Sequence, residues 1–479
     1  MSESESKNIP YVRPDGLRYE NLLPVGLKAK KMKKVFRPIN TGKYRHDADN
    51  KIILELHGDF FLNARNSYLK FKIDTKGLIN DNGATPAAKK VRLDGSAHSF
   101  IKSIVIRSGS RELERLSNYS LLHSALADMT LNRDYRSTSG SISEGYDDGF
   151  GYMAAQTQNV PSGKTQAYTE KMDGVVFDGA ADGTDYVFCI NILSGIMQAN
   201  RYLPLLAMRG SSGLQLEIEL EDPKVCFVDA EHRTSANSDI VNCQYVMQDV
   251  EYHAETLHMG QEFNQGFLNM ALSQGLQMHC VGYNHGVNHF DGSVGGEHHI
   301  GLSHRFRSLK YLFSILRAKG FENKLNNSAI TKRLNNGVEA FRYEIGGSKF
   351  PEYDVNVKAA ANGSGSAESF NQIELMTGKL GDRLNSSIFT RYNWCPPLTK
   401  DEATKNNHIQ SRFVIGVELE TYGNNNVESG ISTSDGAPSM DLVVKTSTDA
   451  ANIEARVDTY ACYDFMLNIN PDLTASVSF

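Results

Sequence analysis

Residues 212–221 read SGLQLEIELE, a run in which apolar side chains alternate strictly with polar or charged ones. Strict alternation is typical of a β-strand that has one face in a protein core and the other in water. The pattern returns in the second half of the chain, where residues 411–420 read SRFVIGVELE. We therefore predict a strand at each place. We also expect the two strands to hold equivalent positions in two similar units, with Leu216 matching Ile415.

Two further pairs of alternating segments support this duplication. Residues 67–73 (SYLKFKI) resemble residues 308–315 (SLKYLFSI), and the long run at 241–252 (VNCQYVMQDVEY) resembles the run at 457–469 (VDTYACYDFMLNI). The three pairs follow one another in the same general layout in both halves of the chain. Because an internal repeat decides the architecture before any other feature, the sequence predicts two consecutive β-sandwiches.

The length of 479 residues is too great for a single core and agrees with two domains of ordinary size. Each half also contains one helix-like segment, at residues 112–129 and 366–380, in the same place among the strands. The fold class that follows is all-β, with two consecutive eight-stranded antiparallel jelly-roll β-sandwiches, short docked helices and long loops. The predicted division is a tail with a basic arm at 1–46, a first jelly roll at 47–255 with a long polar loop at 131–185, and a second jelly roll at 256–479.

Composition excludes several classes of protein. Apolar residues make up 40% of the chain and charged residues 22%, which is typical of a soluble globular protein. No apolar run approaches the roughly 20 residues that a membrane-spanning helix needs, and the first residues, MSESESKN, lack the pattern of a secretory signal. The six cysteines lie far apart without a C-x-x-C pair, so we expect free thiols. The sequence thus predicts no membrane span and no secretion.

Positive charge is concentrated near the N-terminus. Between residues 21 and 46 there are eight basic residues and no acidic one, although the whole chain has a formal charge of −6. Such an arm on an acidic body suits contact with a polyanion or with the acidic face of a neighbouring subunit. A solvated leader without a binding role explains the same composition. The candidate contacts for an inner face, a genome or a partner are Lys28, Lys30, Lys31, Lys33, Lys34, Arg37, Lys43 and Arg45.

Histidines are concentrated between residues 253 and 304, which hold eight of the fourteen in the chain. A metal site is the sharpest hypothesis there, because imidazoles near carboxylates are ligands for zinc or iron. The chain has no H-x-H pair of the kind that metal-binding double jelly rolls carry, so we expect these histidines in surface loops. It also lacks a phosphate-binding loop, H-E-x-x-H and G-x-S-x-G. We predict no catalytic residues, no cofactor, no metal ligands and no enzymatic activity.

Four segments carry a resemblance to a known family. Residues 100–119 (FIKSIVIRSGSRELERLSNY) contain a strand, a glycine turn, and Glu and Tyr leading into a helix, and residues 202–220 (YLPLLAMRGSSGLQLEIEL) contain a Pro-Leu segment before an amphipathic strand. Residues 341–351 (FRYEIGGSKFP) contain a Y-x-I-G-x-x-x-x-P element, and residues 457–479 contain Asp-Thr-aromatic and Tyr-Asp groups before a terminal strand. In this order they resemble the double jelly-roll major capsid proteins of icosahedral DNA viruses, the group of virophages, Polinton-like viruses and large eukaryotic DNA viruses.

The resemblance implies a structural role. A protein of this family is a homotrimer, in which three chains of two jelly rolls form a pseudo-hexameric capsomer that tiles an icosahedral shell around a DNA genome. The implied partners are other copies of the chain, neighbouring capsomers, penton and minor capsid proteins, and genomic DNA through non-specific contact with the arm. We expect the protein in the virion, after synthesis in the host cytoplasm or nucleus. Two alternatives stay open: a carbohydrate-binding or hydrolytic β-sandwich, and a minor virion component.

Overall fold

Antiparallel β-strands dominate the structure, a computed structural model, and the predicted all-β class is confirmed. The structure describes most of the chain from residue 28 onward. The residues outside the described part are 1–27, 41, 82–86, 147–174, 181–182, 184, 212, 230–239, 320–324, 326–327, 358–366, 381–386, 390–393, 395–410, 422–428, 437 and 448–453.

The strands fall into two groups along the chain. The first group is β1 (Ala29–Phe36), β2 (Lys43–Tyr44), β3 (Lys51–Leu56), β4 (Phe61–Asp74), β5 (Ile79–Asp81), β6 (Lys90–Leu93), β7 (Ile101–Ser108), β8 (Arg111–Ser117), β9 (Val176–Asp178), β10 (Tyr186–Ile190), β11 (Leu203–Pro204), β12 (Leu214–Leu220), β13 (Phe227–Asp229), β14 (Ile240–Cys243) and β15 (Val246–Met259). The second group is β16 (Leu276–Asp291), β17 (Gly296–Gly301), β18 (Leu309–Ala318), β19 (Val338–Ile345), β20 (Ser348–Asn356), β21 (Ile415–Glu418), β22 (Met440–Thr446), β23 (Glu454–Ile469) and β24 (Ala475–Ser478).

Helices are short and lie between the strands. The α-helices are α1 (Tyr119–Thr130), α2 (Arg133–Tyr135), α3 (Ser141–Ser143), α4 (Pro223–Cys226), α5 (Gln261–Gln274) and α6 (Ala367–Met376). Single turns of 3₁₀-helix occur at Ala97–Phe100, Leu205–Ala207 and Arg209–Ser211, and one π-helical turn occurs at Arg136–Gly140. Among the described residues, no helix is both long and apolar enough to cross a bilayer.

Each half of the chain builds one jelly roll from eight principal strands. In the first half, one sheet has the order β1-β15-β4-β10 and the other β3-β12-β7-β8. In the second half, the orders are β16-β23-β18-β21 and β17-β22-β19-β20. Counted along each half, both arrangements place the strands as 1-8-3-6 in one sheet and 2-7-4-5 in the other. This alternation of successive strands between two facing sheets is the jelly-roll topology, so the prediction of two consecutive jelly rolls is confirmed.

The topology agrees with two of the three strand equivalences expected from the sequence and corrects the third. β4 and β18 are both third in their jelly rolls, and β15 and β23 are both eighth. β12 and β21 hold unlike places, because β12 is seventh and pairs with β3 and β7, whereas β21 is sixth and pairs with β18. The match of Leu216 and Ile218 with Ile415 and Val417 was therefore wrong. The alternation of apolar and polar residues indicates only that one face of a strand is buried. Because the sixth and the seventh strand of a jelly roll both have one buried face, alternation cannot distinguish them.

The basic arm is a strand of the first sheet rather than a segment outside it. β1 pairs with β15 along its whole length, from Ala29 opposite Met259 to Phe36 opposite Tyr252. The strands therefore begin before residue 47, where the sequence predicted the start of the first jelly roll, and the sequence did not indicate this because β1 has no apolar face. Seven of its eight residues are exposed, and only Phe36 is buried. Lysines on an edge strand hinder pairing with a further strand, which is a common protection of sheet edges.

These strands bear on the proposed division of the chain. We now propose that the first jelly roll starts at Ala29, because β1 belongs to its sheet. The proposed boundary at 255/256 falls inside β15, which runs to Met259, and helix α5 then leads to β16. Gly275 ends that helix with φ +70°, a backbone conformation that favours glycine. The long loop at 131–185 contains α2, α3 and β9 in its described parts.

The cores follow the alternation of the strands. In β12, Leu214, Leu216, Ile218 and Leu220 are buried while the three residues between them are partly exposed. α1 and α6 each lie between the fifth and sixth strands of their jelly rolls, which agrees with the prediction of one helix in the same place in each half, and α6 packs on β20 and β21. The first predicted helix began too early, because residues 112–117 belong to strand β8. The described cysteines are free thiols, in agreement with the sequence; they are Cys189, Cys226, Cys243, Cys280 and Cys462. Cys395 lies outside the described residues.

Candidate assembly surfaces

The two jelly rolls meet through β8, the fifth strand of the first, which lies against β16, the first strand of the second. The backbones come very close at two glycines. A Cβ added to Gly195 would lie 2.4 Å from the carbonyl oxygen of Val281, and one added to Gly210 would lie 2.6 Å from the carbonyl oxygen of Asp472. Since real Cβ atoms essentially never approach so closely, these glycines allow the contact between the two units.

A buried ionic cluster joins the two units beside this contact. Asp128, at the end of α1, lies 2.7 Å from Arg136 of the first jelly roll, 2.8 Å from Arg333 and 2.6 Å from Arg412 of the second. All four side chains are almost fully buried. Burial alone would raise the pKa of Asp128, but the charges of the three arginines outweigh that effect and lower the pKa. The carboxylate is therefore ionised and links both jelly rolls.

Asp94 makes a second connection between the units. Its carboxylate accepts hydrogen bonds from the backbone N–H groups of Ile330 (2.8 Å) and Thr331 (3.4 Å). It also accepts from the hydroxyl of Thr331 (2.6 Å) and from that of Ser328. Asp94 has no exposed surface, so this turn of the second jelly roll is held by a carboxylate of the first.

Asp458 on β23 makes a third connection. Its carboxylate lies 2.8 Å from both His285 and Arg317, and it accepts a hydrogen bond from Asn118 of the first jelly roll at 3.3 Å. Burial would raise the pKa of Asp458, and the charges of Arg317, His285 and Arg456 more than offset it, so the pKa is lowered. The hydroxyl of Tyr460 donates to the Asn118 carbonyl at 3.0 Å. The contact between the jelly rolls is thus polar as well as tightly packed.

The predicted basic residues lie along one edge of the first jelly roll. Three of them form ion pairs, Lys31 with Glu255 (2.7 Å), Arg37 with Glu251 (3.0 Å) and Arg45 with Asp47 (2.9 Å), and the Nζ of Lys34 lies 4.7 Å from the Phe36 ring centroid. Lys43 lies in β2, which pairs with β15. Lys28, Lys30 and Lys33 are exposed and form no ion pair within the described part of the chain. Within the described part of the chain, the arm therefore carries three exposed positive charges without an ion-pair partner, all at or beside the edge strand β1.

This edge has a counterpart in the second jelly roll. β1 and β16 are both first strands at the edge of a 1-8-3-6 sheet, and β8 and β20 are both fifth strands at the edge of a 2-7-4-5 sheet. Within the chain, β8 covers β16. β20 remains mostly exposed, with Tyr353 51% accessible, and β1 is exposed as well. β8 and β16 meet inside the chain. Their equivalents in the other jelly roll, β20 and β1, are exposed on its surface and can contact another chain.

Seven of the eight concentrated histidines lie in strands rather than in the surface loops expected from the sequence, and the eighth, His304, is buried between β17 and β18. His279 and His285 are on β16, where they pair with Asp464 and Asp458 at 2.8 Å. His298 lies on β17 and hydrogen-bonds Thr446 at 2.9 Å. Among the described residues, the one group with the spacing of a metal site lies elsewhere and includes none of these histidines.

Comparison with known proteins gives a consistent result for the fold. No protein-family model matches the sequence, and no curated protein does. Solved structures do match over nearly the whole chain. The Sputnik virophage structure has a TM-score of 0.58 at 10% identity and covers 98% of this chain and 93% of its own. The Faustovirus major capsid protein has a TM-score of 0.55 at 9% identity, with coverage of 95% and 92%.

The mavirus major capsid protein matches with a TM-score of 0.52 at 8% identity, and the alignment covers all of this chain and 97% of that one. The fold is that of the double jelly-roll major capsid proteins. At such low identity the likeness concerns the backbone arrangement alone. It does extend through both jelly rolls, so the double jelly roll is matched as a unit rather than as two separate domains.

Proposed function

We propose that this chain is the structural major capsid protein of an icosahedral DNA virus. The observation that carries the proposal is the match of the complete double jelly roll, from end to end, to proteins named as major capsid proteins. A rigid unit with buried polar connections and extensive exposed strand edges suits a shell, which needs side surfaces rather than a catalytic pocket. We accordingly propose a role without enzymatic activity, in the virion, after synthesis in the host cytoplasm or nucleus.

The capsomer is proposed to be a homotrimer in which the contact inside the chain recurs between chains. Inside the chain, the fifth strand of one jelly roll lies against the first strand of the next. If β20 of one chain lies against β1 of its neighbour, the same relation is repeated, and three chains close into a ring of six similar units. Lys30 and Lys33 lie on opposite faces of β1 and are both exposed, as is Glu352 of β20, so one of the two lysines can pair with this glutamate.

Further partners follow from this arrangement. Neighbouring capsomers, penton proteins and minor capsid proteins would contact the remaining outer faces. Any charge of the arm that the trimer leaves uncovered would be available for non-specific contact with genomic DNA, and such binding would weaken steeply as salt rises. Contact with a neighbouring chain and contact with DNA are thus both proposed for the edge formed by β1. Lys28, which precedes β1, is the described basic residue nearest to the N-terminus.

Carbodiimide cross-linking of the purified trimer tests the interface. We expect a species of three chains by mass photometry and peptides that join Lys30 or Lys33 to Glu352 in the trimer fraction but not in the monomer fraction. Lys33→Glu should weaken the trimer, whereas Lys224→Glu, an exposed change on the same jelly roll, should leave it intact. A protein that stays monomeric at micromolar concentration contradicts the capsid role. A trimer without these cross-links contradicts only the β1–β20 contact.

The alternatives from the sequence receive less support. A carbohydrate-binding sandwich presents exposed aromatic rings to sugars, but Trp394 is 3% exposed and packs against Phe370, Phe389 and Phe413. A minor virion component such as a penton is more often a single jelly roll, whereas this chain has two. Electron microscopy separates these cases, since hexagonal trimers or shells are expected only of the major capsid protein.

A further inference from the structure

Two imidazoles and a carboxylate lie close together beside α1, outside the contact between the jelly rolls. His98 belongs to the turn at Ala97–Phe100, His123 to α1, and Glu144 directly follows α3. One nitrogen from each histidine and one oxygen of the carboxylate lie within 4.8 Å of one another. His98 Nε2 is 3.3 Å from Glu144 Oε2. We propose that these three residues bind a divalent transition-metal ion, with Zn²⁺ the best match.

The ligand chemistry favours zinc over magnesium or calcium. Two imidazole nitrogens and one carboxylate form a common donor set for Zn²⁺, whereas Mg²⁺ and Ca²⁺ prefer oxygen ligands throughout. A tetrahedral ion with metal–ligand distances of about 2.1 Å needs its ligand atoms about 3.4 Å apart. The ligand atoms lie within 4.8 Å of one another, so they must move closer, and one imidazole ring must rotate, to reach that value.

A cavity of about 190 Å³ borders the cluster and provides the fourth coordination position. His98, His123 and Glu144 all line it, together with the side chains of Tyr135 and Tyr146. A volume of this size holds several water molecules. Zinc sites with three protein ligands keep the fourth position for water or another small ligand, and the cavity supplies the space.

Both histidines have the outer hydrogen bonds that orient metal ligands. His98 Nδ1 lies 3.0 Å from the hydroxyl of Tyr119, which also accepts the backbone N–H of Leu193 at 3.0 Å. The Tyr146 hydroxyl lies 3.3 Å from His123 Nε2, while His123 Nδ1 is buried and has no hydrogen-bond partner among the described residues. Partners of this kind select one tautomer and one ring orientation in metal sites.

The ring geometry shows what metal binding would change. The imidazoles of His98 and His123 are stacked, with centroids 3.4 Å apart and planes within 12°. The lone pairs of parallel rings point along separate planes and cannot meet at one ion. One ring must therefore rotate about its Cβ–Cγ bond, a soft torsion, and the adjoining cavity gives it room.

A bound ion would fasten the start of the long loop to the first jelly roll. Glu144 lies in that loop, whereas His98 and His123 belong to the turn before β7 and to α1. The three residues lie 25 and 21 positions apart in sequence, so no short motif announces them. The inference is independent of the capsid role, because it concerns one chain alone.

Titration of the chelator-treated full chain tests the site, with Co²⁺ followed by visible absorption and Zn²⁺ by calorimetry. We expect one ion per chain, cobalt d–d bands between about 500 and 700 nm that Zn²⁺ abolishes, and a Tm increase of about 5 °C when Zn²⁺ is at 100 times its Kd. Glu144→Gln and His123→Gln should each weaken binding by about 100-fold or more, beyond the roughly 10–100-fold expected from loss of an outer hydrogen-bond partner.

His289→Gln is the matched control, because His289 is exposed and lies outside the cluster. It should bind Co²⁺ and Zn²⁺ as the wild type does. Absence of saturable binding to the wild type overturns the proposal, and so does binding that survives in Glu144→Gln and His123→Gln but is lost in His289→Gln. The wild-type cobalt spectrum decides the matter even where a ligand variant fails to fold.

Discussion

Asp128 Oδ2 lies 2.8 Å from Arg333 Nη2, and neither side chain has any exposed surface. The aspartate belongs to the first jelly roll and the arginine to the second, so this ion pair spans the contact between the two cores. A buried charge is costly unless it is paired. Separation of the two jelly rolls would leave these charges without their partners, and the contact therefore favours a chain that behaves as one rigid body.

Replacement of Asp128 should leave the buried arginines unpaired and so destabilise the protein. Asp128→Asn leaves Arg333, Arg136 and Arg412 without their shared carboxylate, and we expect the free energy of unfolding to fall by about 3–5 kcal/mol. Urea denaturation followed by tryptophan fluorescence measures it, since Trp394 lies in the second jelly roll. Asp47→Asn removes an exposed ion pair with Arg45 and should cost less than about 1 kcal/mol. Equal effects of the two variants would show that the buried cluster does not connect the cores energetically.

Stability should fall in acid partly through Asp458. The pKa of Asp458 is lowered in the folded protein, so its contribution is fully present above the unfolded value of about 3.9 and is lost as pH falls toward the folded value. Asp458→Asn should be less stable than the wild type at pH 7 and should lose less stability between about pH 5 and pH 2. Denaturation at a series of pH values gives both slopes, and identical slopes would contradict the assignment.

Gly195 should tolerate no side chain. Gly195→Ala places a methyl group against the Val281 carbonyl, so we expect the jelly rolls to shift apart and Tm to drop by several degrees. Gly266→Ala provides the comparison, because nothing lies within 4 Å of that site, which is inside helix α5. Alanine there should stabilise the protein by about 0.5–1 kcal/mol. Differential scanning calorimetry compares them, and a neutral Gly195→Ala would refute the close backbone contact.

Two truncations should show that strand β1 contributes to stability and that residues 1–27 do not. Deletion of residues 1–46 removes β1 and β2 and exposes the edge of β15, so we expect loss of stability in the first jelly roll and aggregation. Deletion of residues 1–27 leaves both strands in place and should preserve the fold. Circular dichroism and size-exclusion chromatography distinguish the outcomes. A well-folded 47–479 fragment would show that the sheet does not need β1.

Local patterns in the sequence were enough to predict the fold class. Leu216 alternates with Glu217, and the structure buries the leucine while leaving the glutamate partly exposed. Such alternation depends only on the pleat of a strand, which is a property of neighbouring residues. The two jelly rolls and one helix in each of them followed from local patterns, and the resemblance to double jelly-roll capsid proteins followed from four longer segments and their order.

Contacts between distant residues were decided by the tertiary structure alone. β1 carries lysines on both faces, so the sequence did not predict a strand there, and only its pairing with β15 identifies it. Likewise, only the strand order of the sheets shows that β12 corresponds to β22. Asp128 meets Arg333, and His98 meets Glu144, because the chain folds back on itself between them. Alternation records which face of a strand is buried, but it contains no information on which distant segment covers that face. The sequence by itself therefore determined the β-strands and their buried faces. The tertiary structure determined the contacts between the jelly rolls and the cluster of His98, His123 and Glu144.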